Sequence, residues 1–183
     1  MAVLFIENHD SFSFSIIDYL KRLGAEVKIY DHKQKPNLKH VSHLVLGPGP
    51  GIPENSGFLM QWLDLAVQTD LAILGICLGH QAIGRHFGAD LVRAPRAIHG
   101  EVDLITHSSA KLFKNIQSPT PVTRYHSLVL TNLPPVLTVD AYSEDGQIMA
   151  ISHVSKPIHG LQFHPESFLS EQGLGMLENF LRV

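Results

Sequence analysis

The most informative stretch of the chain reads Leu71-Ala-Ile-Leu-Gly75-Ile76-Cys77-Leu78-Gly79-His80-Gln81. A buried apolar run enters a Gly-x-Cys-x-Gly turn and continues into a helical pattern, which is the signature of a nucleophile elbow. Such a turn places the Cys77 sulfur at the carboxyl end of a strand and at the N-terminus of a helix, where N–H groups and the helix dipole stabilise a thiolate. An isolated cysteine is more often a small core residue, but the elbow context favours a nucleophile.

The residues around this turn indicate alternating strands and helices in the first half of the chain. Strands are predicted at residues 2–7, 25–30, 43–46 and 71–76, and helices between Asp10 and Gly24 and at 57–68 and 78–87. This alternation implies parallel strands with helices on both faces of the sheet. Further strands are predicted around Val92 and at 102–105, 122–125, 128–130, 137–141, 148–151 and 161–163, before a helix at 172–181. The predicted fold class is α/β: a single domain over residues 1–183, built as a three-layer sandwich with a mainly parallel central sheet and an added antiparallel β section.

Composition excludes several classes of protein. The 183 residues are 44% hydrophobic, include one cysteine and carry a formal net charge of −3. A single cysteine excludes an internal disulfide, and the scattered charges form no basic stripe of the kind that binds nucleic acid. The longest apolar run is far shorter than the roughly 20 residues that span a bilayer, and the N-terminus lacks the pattern of a signal peptide. We therefore expect a cytoplasmic protein with no nucleic-acid or membrane partner.

A glycine- and proline-rich loop, Gly47-Pro-Gly-Pro-Gly51, follows the third predicted strand. The prolines have no N–H group, so the loop lacks the run of consecutive donors that a phosphate nest requires. It is suited to presenting one or two backbone N–H groups rigidly, as an oxyanion hole does. A stiff turn without a chemical role is an equally good interpretation of this loop alone.

The segment His164-Pro165-Glu166 places an imidazole two residues from a carboxylate. In an extended chain these side chains project to the same side, and a carboxylate beside a histidine orients a general base. The alternatives are a surface pair or a metal site, and no third ligand at a recognisable spacing supports the metal site. Together with Cys77, the pair predicts acyl transfer through a thioester, with activity that falls at low pH as His164 gains a proton.

These motifs resemble one family along essentially the whole chain. The motifs that carry the resemblance are Glu7-Asn-His-Asp-Ser-Phe12, Gly47-Pro-Gly-Pro-Gly51, Gly75-Ile-Cys-Leu-Gly-His-Gln81, His99-Gly100, Thr123-Arg-Tyr-His-Ser-Leu128, Gln162-Phe-His-Pro-Glu-Ser167 and Ser170-Glu-Gln-Gly173. The chain resembles class I glutamine amidotransferases of the anthranilate synthase component II and aminodeoxychorismate synthase glutaminase type. The resemblance implies hydrolysis of glutamine and transfer of the ammonia to a partner synthase subunit that acts on chorismate, without a metal or an organic cofactor.

The resemblance also implies a role for each site residue. Cys77 would attack the amide, His164 would act as acid and base, and Glu166 would orient the His164 ring. The backbone N–H groups of Gly49 and Leu78 would hold the oxyanion. The implied contacts with glutamine are Gly49, Pro50, Gly51, Gln81, His126 and Ser127.

Departures from the family pattern occur at Glu7, Ser15, Glu101 and Asp103. The last two follow His99-Gly100, in a region that the resemblance implies to lie near the active site and the partner. A negative charge at Glu101 is therefore expected to affect partner coupling or access of glutamine.

The resemblance slightly favours the aminodeoxychorismate branch, because of the Thr123–Leu128 motif and the spacing within residues 169–173. The short connection at residues 131–134 is more similar to anthranilate synthase. A subunit shared by both synthases is a further interpretation. A hypothesis from a different class is a non-catalytic binding subunit, and the complete set Cys77, His164 and Glu166 argues against it.

Overall fold

The computed structural model describes residues 1–183. Its strands and α-helices follow in the order β1 (Ala2–Glu7), α1 (Ser13–Arg22), β2 (Glu26–Asp31), β3 (His43–Leu46), α2 (Leu59–Ala66), β4 (Ala72–Ile76), α3 (Leu78–Phe87), β5 (Asp90–Arg93), β6 (Glu101–His107), β7 (Thr120–Arg124), β8 (Leu128–Thr131), β9 (Leu137–Ser143), β10 (Ile148–His153), β11 (Ile158–Leu161) and α4 (Gly173–Leu181). None of the helices is long and apolar enough to cross a membrane.

Nine strands form one sheet in the order β2-β1-β3-β4-β11-β10-β9-β6-β7. The strands from β2 to β11 pair in parallel, and those from β11 to β7 pair antiparallel. Strands β5 and β8 form a separate antiparallel pair. The predicted α/β class, with a mainly parallel sheet and an added antiparallel section, is confirmed.

Both faces of the parallel part of the sheet are buried. Successive residues of β1 point to opposite faces, so Val3 and Phe5 join the hydrophobic cluster that α1 and α4 cover. Leu4 and Ile6 join the second cluster, which α2 and α3 cover and which includes the fully buried Trp62. This two-sided burial explains why β1 is a continuous apolar run rather than an alternating one.

The strand that was predicted at residues 161–163 lies earlier in the chain. The structure places β11 at Ile158–Leu161, where it pairs in parallel with β4 from Ile73 to Ile76. His159 and Gly160 interrupt the apolar pattern of this strand, which is why the sequence did not reveal it. Beyond the carboxyl end of β11, His164 forms an isolated antiparallel bridge with Thr123, and Pro165 and Glu166 lie in a turn rather than in a strand.

Candidate active site

Cys77 occupies the sharp turn between β4 and α3. Its backbone has φ 51° and ψ −99°, a conformation that L-residues rarely adopt and that the surrounding fold must hold. The flanking glycines are required, because a Cβ atom on Gly75 would collide with the backbone of Gly79, and one on Gly79 would collide with the Leu46 carbonyl. The structure thus contains the predicted elbow, with Cys77 at the carboxyl end of a parallel strand.

His164 is fixed through its backbone and through its ring. Its N–H donates to the Thr123 carbonyl at 3.0 Å, and the Ser170 hydroxyl donates to the His164 carbonyl at 2.7 Å. The ring Nδ1–H donates to Glu166 Oε1 at 2.6 Å. The side chains of both residues are buried, so the pair is shielded from solvent.

The charge state of His164 follows from its two partners. Burial alone would lower the pKa of His164, but hydrogen bonds with Cys77 and Glu166 outweigh burial and raise the pKa to about 10. The ring therefore carries its proton at neutral pH, next to the Cys77 sulfur, where a positive charge favours a thiolate. The direction of this pKa shift is opposite to the sequence-based expectation, in which His164 gains its proton only as pH falls.

The loop that follows β3 brings a free backbone N–H group beside Cys77. Asn8 Nδ2 donates to the Gly47 carbonyl at 2.9 Å and ties this loop to the end of β1. The N–H of Gly49 donates to no group in the protein. Leu78 is the first residue of α3, so its N–H has no carbonyl partner in the preceding turn of the helix. These two N–H groups are available to an oxyanion near the sulfur.

A cavity of about 200 Å³ lies above Cys77. Its lining comprises Gly49, Pro50, Gly51, Cys77, Gln81, Tyr125, His126, Ser127 and Leu128. All six residues that were predicted to contact glutamine are in this set. The structure therefore brings together, around one sulfur, residues that are separated by up to about 80 positions in the sequence.

Comparison with known proteins assigns this arrangement to a family. The sequence model of glutamine amidotransferase class-I matches residues 4–183. The chain belongs to this family. It is 43% identical to anthranilate synthase component 2 of Azospirillum brasilense, with 99% of this chain and 95% of that protein covered.

Two further comparisons agree with the family. The chain is 44% identical to aminodeoxychorismate synthase component 2 of Serratia marcescens, with 98% of each protein covered. The crystal structure of a glutamine amidotransferase from Thermotoga maritima superposes with a TM-score of 0.84 at 20% identity, covering 100% of this chain and 96% of that one. The protein is thus a glutamine amidotransferase with the fold of its family.

The amidotransferase has a second cavity, of about 330 Å³, that also reaches Cys77. Its lining comprises His9, Asp10, Ser11, Phe12, Gly49, Pro50, Cys77, His99, Tyr125 and His164. Tyr125 lines both cavities, and its ring centroid lies 5.3 Å from that of His164. Sequence reasoning gave Tyr125 no role, because its position between the cavities depends on the end of β7 lying beside the elbow.

Gln162 is another residue whose place sequence reasoning missed. Its Nε2 lies 3.7 Å from the Cys77 sulfur as a hydrogen-bond donor, and its Oε1 accepts from Gln81 Nε2 at 3.1 Å. Gln162 is fully buried. A buried amide donor at the sulfur adds to the stabilisation of negative charge there. The signal that could have found it is its position two residues before His164 in the same motif.

His126 is held in one tautomer. Its Nε2 accepts from Arg124 Nε at 3.0 Å, so its proton is on Nδ1, which donates to the Leu128 carbonyl at 3.0 Å. Burial and the nearby Arg124 charge lower the pKa of His126 to about 4, so the ring is neutral. His80, by contrast, is completely buried in α3 and lines neither cavity at Cys77.

The departures at Glu101 and Asp103 lie on β6, and neither lines a cavity at the sulfur. Asp103 forms an ion pair with the buried Arg124, and Arg124 also donates to Gln147 Oε1 at 2.9 Å. Glu101 is exposed and pairs with Arg96 at 2.8 Å. Asp103 is therefore connected to the cavity through Arg124 and His126, whereas Glu101 lines neither cavity at Cys77.

Proposed function

We propose that this amidotransferase hydrolyses the side-chain amide of glutamine through a thioester on Cys77 and passes the ammonia to a partner synthase that aminates chorismate. The observation that carries the proposal is the cavity above the elbow, where Cys77 meets all six predicted glutamine contacts. The buried His164–Glu166 pair beside the sulfur supports it. The 43–44% identity to two synthase components supports the transfer of ammonia to such a partner.

In the first half of the reaction, the Cys77 thiolate attacks the amide carbon and a C–S bond forms. The N–H groups of Gly49 and Leu78 hold the resulting oxyanion. Preorganised donors of this kind accelerate the formation of such an intermediate because they stabilise the charge that develops on the oxygen. Collapse of this intermediate breaks the C–N bond, and His164 transfers its proton to the departing nitrogen. The raised pKa of His164 provides that proton at neutral pH. Ammonia leaves, and a thioester remains on Cys77.

In the second half, the now neutral His164 takes a proton from water while the water oxygen attacks the thioester carbon. The C–S bond breaks, which releases glutamate and restores both the thiolate and the protonated ring. Glu166 holds the His164 ring through Nδ1 in both halves. No other group is needed to balance the reaction.

The residues that hold glutamine are proposed to be Gly49, Pro50, Gly51, Gln81, His126 and Ser127. Both side-chain hydrogen bonds of Gln81 use its Nε2, so its Oε1 remains available to a substrate donor. The His126 ring is neutral and is held in one orientation, so it contributes to the shape of this cavity without adding a charge. We expect the polar groups of glutamine to be recognised by backbone and amide groups rather than by ion pairs with histidine.

The proposed partner is the chorismate-using subunit of aminodeoxychorismate synthase, on the basis of the Thr123–Leu128 motif and the 44% identity to one such component. The second candidate is anthranilate synthase, supported by 43% identity to its component 2. A subunit that serves both partners is consistent with both observations.

Reconstitution distinguishes these candidates. The chain is mixed with each purified partner, chorismate and glutamine labelled with ¹⁵N at the amide, and the ¹⁵N product is measured by mass spectrometry, with ammonium as a control for partner activity. Labelled aminodeoxychorismate alone supports the first candidate, and labelled anthranilate alone overturns it in favour of the second. Label in both products indicates a shared subunit. If glutamine is not hydrolysed in the presence of either partner, although both partners use ammonium, the proposed function is overturned.

A further inference from the structure

A cluster of three ligand-type side chains lies at the carboxyl ends of β1 and β2. It consists of His9, Asp31 and His32, and one ligand-capable atom of each lies within 4.8 Å of those of the other two. His9 Nε2 is 3.0 Å from Asp31 Oδ2. The proposed glutamine chemistry uses none of these side chains, so the cluster calls for a separate explanation.

Two members of the cluster, His32 and Asp31, are oriented by hydrogen bonds with backbone groups. His32 Nδ1 lies 3.0 Å from the Glu7 carbonyl, which can only accept, and 3.7 Å from Asp31 Oδ1. In its neutral form the ring therefore has its proton on Nδ1 and its lone pair on Nε2. Asp31 Oδ1 accepts from the Lys33 N–H at 2.7 Å, which leaves Oδ2 toward His9. Metal-binding histidines and carboxylates are oriented by outer partners of this kind.

The charge of the cluster suits a cation. An aspartate is ionised at neutral pH, and the Lys33 N–H that donates to Asp31 Oδ1 stabilises its negative charge. His32 is buried and His9 is exposed, so a cation would reach the cluster from solvent through the side of His9. Two imidazoles and one carboxylate provide nitrogen ligands and one negative charge.

The cluster is attached to a rigid turn. His9 has φ 62°, and the turn around it is fixed by Glu7 Oε1, which accepts from the Asp10 N–H at 3.1 Å and from the Ser13 hydroxyl at 2.9 Å. A ligand set on a fixed backbone loses little conformational freedom when it binds a metal. His9 also lines the second cavity at Cys77, so the cluster adjoins the catalytic region without belonging to it.

We propose that His9, Asp31 and His32 bind one late first-row divalent cation of the Zn²⁺ class. Imidazole nitrogens with a single carboxylate match Zn²⁺, Co²⁺, Ni²⁺ or Cu²⁺, whereas Ca²⁺ and Mg²⁺ require more oxygen ligands. Three protein ligands leave the fourth tetrahedral position open to water. The contrasting interpretation is an ion pair between His9 and Asp31 with no metal.

The experiment is a Co²⁺ titration followed by visible absorption, with Zn²⁺ as competitor. It uses the Cys77→Ser chain, because the Cys77 thiolate would otherwise be a second metal ligand. His9→Asn and Asp31→Asn each remove one ligand, and asparagine tolerates the positive φ at position 9. The matched control is His86→Gln, which breaks a His–Asp pair, His86 Nδ1 to Asp64 Oδ1 at 2.8 Å, that has no third ligand.

We expect one Co²⁺ per chain, displaced by Zn²⁺, with binding weakened about tenfold or more in His9→Asn and Asp31→Asn. The control variant should bind as tightly as its parent, and circular dichroism should show that every variant is folded. The proposal is overturned by a folded parent that binds no stoichiometric Co²⁺. It is equally overturned if His9→Asn and Asp31→Asn bind Co²⁺ as tightly as the parent, or if His86→Gln weakens binding as much as they do.

Discussion

Gly49 lies where the loop after β3 passes closest to the end of β1. A Cβ atom at this position would lie 2.5 Å from Asn8 Cβ and 2.9 Å from Leu78 Cδ2, so Gly49→Ala must displace the loop and its free N–H. We expect the rate of glutamine hydrolysis to fall by about 10²-fold or more, as when an oxyanion donor is removed. Steady-state ammonia release measures this loss.

The control for this substitution is Gly175→Ala in α4, which lines neither cavity at Cys77 and adds a Cβ atom 3.1 Å from a single side-chain atom of Ile116. It should retain activity. An unchanged rate in Gly49→Ala would contradict the oxyanion role of this loop.

The proton on His164 is a second property at the scale of single residues. Because the pKa of His164 is raised to about 10 by Cys77 and Glu166 against the effect of burial, we expect both ring nitrogens to be protonated from pH 7 to 9. Glu166→Gln should lower this pKa, and ¹⁵N NMR of the labelled ring measures it. A ring that titrates near 6.5 in the unmodified chain would contradict the proposed charge state.

The raised pKa also links His164 to stability. Glu166 helps to raise the pKa of His164 above its unfolded value near 6.5, so the hydrogen bond with Glu166 favours the protonated ring in the folded state. The stabilising contribution of this pair is therefore fully present below pH 6.5 and is lost as pH rises through the folded pKa. We expect Glu166→Gln to be more destabilising at pH 6 than at pH 10, which urea unfolding measures. An equal effect at both pH values would contradict this linkage.

At the scale of the elements, adjacent strands β6 and β7 carry Asp103 and Arg124, whose ion pair supports His126 at the cavity. Asp103→Asn weakens the charge that holds the buried Arg124, so we expect the KM for glutamine to rise by about tenfold while kcat changes less. Glu101→Gln, on the same strand, breaks only an exposed pair with Arg96 and should leave both constants unchanged. Equal KM values in the two variants would contradict the positioning role of Asp103.

The elements that the sequence predicts best are those with strong local signals. Strands β1 and β3 and helix α3 begin and end at the predicted residues, because their apolar patterns and the Gly88 stop are local. The position of β11 depends instead on pairing with β4 across about 80 residues of sequence, and its polar His159 hides it. The separate pairing of β5 with β8 is likewise a contact between distant segments.

The residues of the candidate site divide in the same way, into those with a local sequence signal and those placed by contacts between distant segments. The motifs point to Cys77, His164 and Glu166, since nucleophile and base have recognisable local contexts. Gln162 lies beside the sulfur and Tyr125 lines both cavities, and these placements depend on the packing of three separate strands. Only Gln162 has a local signal, its position two residues before His164, and that signal does not show its contact with the sulfur. The proton on His164 also depends on burial and on two partners, which the sequence does not reveal.

At the scale of the whole molecule, the twelve histidines do not titrate alike. Burial lowers the pKa of His80 to about 3, and burial is also the main reason that the pKa values of His126 and His159 fall to about 4. Between pH 6.5 and 4 the unfolded chain binds three protons that the folded chain does not, so stability present above pH 6.5 is lost as pH falls.

We expect the free energy of unfolding to fall most steeply near pH 5, by at most about 4 kcal/mol per pH unit, at about 1.4 kcal/mol for each histidine. Urea unfolding at several pH values measures the slope. His159→Gln should reduce it by about a third, and substitution of the exposed His40 should not. Equal stability at pH 7 and pH 5 would contradict the neutral state of these buried rings.

The most direct test of the proposed mechanism is Cys77→Ser in complex with the partner synthase. Cys77 is proposed to act in ammonia production and not in the partner's chemistry, so glutamine-dependent synthesis should be abolished while synthesis from added ammonium is retained. Both rates are measured on the same purified complex, with gel filtration to show that the complex forms. Retained glutamine-dependent synthesis would contradict the role of Cys77 as nucleophile, and loss of both activities in an intact complex would indicate a structural role instead.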